Sequence, residues 1–223
     1  LAEPMAPRFG DDRVGFFTAT RWNFANDATA SPREQLIWRW RLEKKDPAAA
    51  LSEPKKPITY WLDRNMPEKY RPAVTAGILE WNKAFERIGF KDAVQVKVQG
   101  PDDDFDTSDT HHASVRWLLT TEPQFGARGP SHVDPRSGEI LDADIEVMGT
   151  VTRNRRRDVA EVLPRVSHPG HGEIGHQCDY GALSAMEFGF ALDVLEARGE
   201  LDPEGPEAEA YVNAYLKDMM MHE

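Results

Sequence analysis

Two stretches bring together side chains that could hold a metal ion or move a proton. The first is "HPGHGEIGH", with His168, His171, Glu173 and His176 inside nine residues. Zinc takes imidazole and carboxylate ligands, and the helical pattern H-E-x-x-H sets two histidines four apart so that one face presents both. Here His171 and His176 are five apart, and Gly170, Gly172 and Gly175 oppose a rigid helix. The stretch therefore reads as a polar loop, with adventitious metal binding as its chemical alternative. The second is His222-Glu223, which closes "AYLKDMMMHE". Its chemistry would be that of the first two letters of H-E-x-x-H: an imidazole ligand beside a general base.

The elements around the second pair give it weight. Val212, Tyr215, Leu216, Met219 and Met220 recur at helical three-and-four spacing, and His222 is expected to continue that inward stripe. Pro206, Glu207 and Glu209 suit the first turn of the same helix. Upstream, "ITYWLD" reads as a strand, followed by a helix with Val74, Ile78, Trp81, Phe85 and Ile88 on one buried face. Trp81 and Phe85 are expected in the core, and Gly89 stands where a C-cap belongs. "AVQVKV" and "ASVRWLLT" read as further strands. "FGARGPSHVD", a turn at Asp134-Pro135 to Gly138, and "EILDADIEVM" read as a hairpin. One crossover helix predicts a mostly parallel first pair of strands, and the final hairpin adds an antiparallel strand, giving a mixed sheet.

Residues 1–55 read as a leader that packs on the main domain, residues 56–223, with "SEPKKP" as the boundary between them. After Met148 the texture changes, through the basic run Arg153 to Arg157, taken as a solvated turn, and the His168–His176 loop. "YGALSAMEFGFALDVLEARG" then predicts an amphipathic helix stopped by Gly199, so residues 150–205 read as a helical insertion. His111, His112 and His132 read as solvent-facing or capping residues, and Met219 to Met221 as packing.

The composition sets outer bounds. A formal charge of −11, from 27 Lys and Arg against 38 Asp and Glu, argues against nucleic acid or an anionic membrane as the main partner. The single cysteine, Cys178, excludes an intrachain disulfide and a Cys-rich zinc site. No stretch is apolar enough for a membrane span.

Long stretches also carry a family likeness: "DDRVGFFT", "WRLEKKDPAAALSEPKKPITYWLDRNMPEKYRPAV", "GILEWNKAFERIGFKDA" and "FGARGPSHVDPRSGEILDADIEV". In these the chain resembles a family of bacterial zinc-dependent metalloproteases of the metzincin clan. The resemblance implies an α/β (α+β) metzincin-like upper subdomain, with a mixed five-stranded sheet, an antiparallel edge strand and packed helices. It implies a final helix continuing as H-E-x-x-H-x-x-G-x-x-H, which the sequence leaves two residues in. His222 would be the first Zn²⁺ ligand and Glu223 the general base. The fragment, lacking the other two His ligands, is expected to be inactive alone. Phe125, Gly126, Ala127, Arg128 and Gly129 would form the edge strand that pairs with a protein or peptide substrate. The family likeness also implies an exported protein, periplasmic or extracellular. The alternative on the same fold is a catalytically inactive peptide-binding module.

Overall fold

The structure is a computed structural model that describes residues 3–121 except 12, 26 and 29, together with 125–150, 194, 197–199 and 205–223. The basic run Arg153 to Arg157, the His168–His176 loop, Cys178 and most of the expected insertion lie outside the described residues.

The leader forms an antiparallel pair, β1 (Thr18–Trp22) and β2 (Arg33–Ile37). The chain then docks on the main domain instead of linking loosely to it. Arg39 N–H donates to Gly138 O, and Ile140 N–H to Arg39 O, both at 2.9 Å. Arg41 makes a two-pronged ion pair with buried Glu139, the geometry in which guanidinium and carboxylate match best. Trp40 and Leu42 pack against the core.

Five strands form the main sheet in the order β4-β3-β5-β9-β6. They are β3 (Ile58–Leu62), β4 (Val94–Val98), β5 (Ser114–Leu118), the two-residue β6 (Ala127–Arg128) and β9 (Ile145–Met148). All neighbours are parallel except β6 and β9. A mixed sheet with one antiparallel edge is thus what the β-branched runs and the late hairpin specify. That hairpin is split. Its outer half is a separate ribbon of β7 (Ser131–Asp134) and β8 (Glu139–Ala143), closed at Gly138, whose φ is +74°. Arg136, lying against Asp134, holds that carboxyl down to about 2.

Between β3 and β4 a short 3-10 turn (Glu68–Tyr70) leads into α1 (Arg71–Leu79) and then α2 (Asn82–Arg87). The apolar spacing predicts one continuous helix, and the chain breaks it at Glu80-Trp81. Asn82 explains the break. Its side chain accepts from Val94 N–H and donates to Val94 O, both at 2.9 Å, tying α2 to the start of β4. Gly89, at φ +90°, ends the segment where a C-cap belongs.

The last helix, α3 (Pro206–His222), carries Val212, Tyr215, Leu216, Met219 and Met220 into the core against α1 and the sheet, as its spacing predicts. Gly77 makes that seam close. A Cβ there would stand 2.3 Å from Lys217 O and 2.8 Å from Met220 Cβ. No described helix is long and apolar enough to cross a membrane.

Candidate active site

Three surfaces meet at the end of α3. The first is a cavity of about 230 Å³ whose floor is the opening residue of three strands, Ile58, Val94 and Ile145. Its walls include Trp40, Tyr60, Trp81 and Phe85, and Glu223 brings the one carboxylate. Such an apolar hollow with a single charged group suits a binding site better than a packing defect. Burial pushes the Glu223 carboxyl above its ordinary range, while neighbouring His222 pulls the other way.

This arrangement corrects two expectations. His222 does not continue the inward stripe: it is exposed, and Glu223, half-buried, takes the inward place. The reason is helical phase: at about 100° per residue Glu223 falls between Met219 and Met220, whereas His222, although three past Met219, falls at the rim of that face. Nor do Trp81 and Ile88 lie in the core, and Phe85 only packs against it. Val74 and Ile78 are buried, but Trp81 is 46% exposed, Ile88 is 65% exposed and Phe85 is half-buried. The break before Asn82 turns the second half of the stripe out of the core and makes Trp81 and Phe85 walls of the cavity. No local signal marks the break, because the Asn82 side chain reaches Val94, twelve residues on.

The second surface is the edge strand. Met148 N–H donates to Gly126 O and Asp144 N–H to Pro130 O, each at 3.0 Å, while Ala127 faces Val147 and Arg128 faces Glu146. Bonded and non-bonded pairs alternate along an antiparallel ladder. Ala127 and Gly129 are therefore the non-bonded positions, and their N–H and C=O groups point away from β9. The strand is held from its other side by buried Glu146, which pairs with both Arg116 of β5 and Arg128 of β6. Arg128 also lies over the Phe125 ring, 4.7 Å from its centroid. Gly129 brings edge and helix together: a Cβ on it would be 3.5 Å from Glu223 Oε2.

The third surface adjoins the edge strand at Asp144. Asp144 is buried, its Oδ1 accepting from Ser114 N–H at 2.9 Å. Burial, reinforced by the Asp142 and Glu146 charges, raises its carboxyl to about 6, against the lowering effect of Ser114 and Arg116. Asp142 is likewise raised by burial, with His132 Nδ1 3.6 Å from its Oδ2. Tyr60 is pushed up to about 12 by burial and by the Asp142 and Asp144 charges.

With this geometry in view, the chain resembles the model of a domain of unknown function (DUF5117) over residues 2–45, within the leader. No curated protein and no solved structure matches the chain.

The predicted site residues thus divide. Glu223 and Phe125–Gly129 converge, and His222 stands next to them on the helix, facing solvent. Among the described residues, no three His, Cys, Asp or Glu side chains converge as a ligand set. His111 pairs with Asp109 and His132 is exposed beside Asp142, both away from the cavity walls.

Proposed function

We propose that this chain is the sheet-bearing part of a zinc-dependent metalloendopeptidase, in which Glu223 is the general base and His222 one zinc ligand. The observation that carries the reading is the meeting of Glu223 with Gly129, at the end of an edge strand whose backbone groups point outward. An extended peptide can add to such an edge through main-chain hydrogen bonds, which are indifferent to sequence. Ala127 and Gly129 would then hold the peptide in register, with a peptide bond beside Glu223.

Glu223 suits the base. Burial raises its proton affinity, so its carboxylate accepts a proton more readily than an exposed glutamate would. After attack on the carbonyl, the same oxygen would return that proton to the departing amine. Bound zinc supplies Lewis acidity that brings the attacking water's pKa toward ~7. The resemblance assigns the two remaining imidazoles to the continuation of the motif.

The test is peptide cleavage by the full-length protein, stripped of metal and then restored with zinc. Activity should vanish on chelation and return with one equivalent of zinc, and His222→Ala should abolish that return. Cleavage indifferent to chelation, or zinc binding unchanged by His222→Ala, would remove both assignments.

A further inference from the structure

We propose that Trp81 is a positioning residue, whose indole N–H pins the last turn of α3 and so sets the direction in which Glu223 presents its carboxylate. Trp81 Nε1–H donates to Met221 O at 2.8 Å, two residues before Glu223. A backbone carbonyl has two lone pairs, so this bond coexists with any helical bond to the same oxygen. Other contacts between the two helices involve Lys217, a turn back, and Met220. Gly77 meets Lys217 O and Met220, and Glu80 lies 3.8 Å from Lys217.

Trp81 is well placed to transmit rigidity. Its neighbour Asn82 is fixed to Val94 by two hydrogen bonds, so the indole is anchored to the start of β4. A connected path runs from that strand through Asn82 and Trp81 to Met221 and Glu223. Burial does not account for a tryptophan here, because nearly half of it is exposed. Its ring lines the same cavity as Glu223, so one residue shapes the hollow and fixes the helix that carries the carboxylate. The helix-end role stands on geometry alone, and its catalytic consequence rests on the metallopeptidase reading.

Amide hydrogen exchange on the full-length protein tests it, comparing the parent with Trp81→Phe, which keeps a ring and removes the donor. The amides of 221–223 should exchange about fivefold faster, the equivalent of one net hydrogen bond, while those of 208–216 stay unchanged. Equal exchange in both proteins overturns the proposal. So does acceleration along the whole helix, or a change seen only with Trp81→Ala, since either means ring packing and not the hydrogen bond. In peptide cleavage, Trp81→Phe should lower kcat about fivefold at unchanged KM and zinc content. An unchanged kcat overturns the positioning of Glu223. A parent that cleaves no peptide counts against the peptidase reading, and the exchange comparison still decides what Trp81 does.

Discussion

The seam between α1 and α3 and the cavity beside it share Ile78 and Met220, yet they are built on opposite rules. In the seam, Gly77 lets two backbones approach until no extra carbon fits, and Val74, Leu216 and Met219 are almost wholly buried. In the cavity, partly exposed aromatic rings stand around a hollow that also takes the half-buried Glu223 carboxylate. The difference separates two jobs. Dense packing fixes where α3 lies, whereas the looser wall leaves room for a ligand and raises the proton affinity of Glu223.

The sharpest way to break this contrast is to fill the seam. Gly77→Ala gains helix propensity but forces a methyl against Lys217 O. Overpacking of this kind costs about 1–3 kcal/mol, and urea melts should show a net loss of about 2 kcal/mol. A variant as stable as the parent would mean the helices are free to move apart.

The buried carboxylate of Asp144 gives a second, pH-dependent test. Asp144 titrates at about 6 in the folded chain, above its ordinary 3.8. Above pH 6 its buried charge opposes folding. As pH falls from 6 toward 4, the folded state takes up the proton before the unfolded state does, so stability rises. Asp144→Asn removes that charge and should stabilise the protein by about 1–2 kcal/mol at pH 8. The advantage should shrink at pH 5. Melts at the two pH values check it, and a variant less stable than the parent at pH 8 would show that the charge is compensated.

On the cavity wall, Phe85→Ala should cost only about 1 kcal/mol, against about 3–5 for a fully buried aromatic. A loss in the larger range would return Phe85 to the core and make the hollow part of the packing.

Much of this fold was legible because periodicity reports burial directly. The runs at Ile58–Leu62, Val94–Val98 and Ser114–Leu118 read as strands and are strands, and the stripe from Val212 to Met220 needed a partner face. The pattern failed where a tertiary hydrogen bond intervened. Trp81, Phe85 and Ile88 obey helical spacing, but the two bonds from Asn82 to Val94 redirect the chain, and no window of hydrophobicity contains Val94. The same limit applies to the site. Glu223 and residues 125–129 could be named from the resemblance, whereas Trp40, Tyr60 and Asp144 come to the cavity or its surroundings only through packing between distant segments. His222 shows how narrow the margin is, since one residue of helical phase decides which of two neighbours faces inward.

The central claim is that Glu223 moves a proton during peptide cleavage, and Glu223→Gln tests it most directly. The amide keeps the shape and cannot act as the base. In the full-length protein, kcat should fall by about 10²–10⁴-fold, with zinc content, KM and melting temperature close to the parent's. A variant that retains most of its kcat while holding zinc would contradict the account and leave the cavity as a binding site alone.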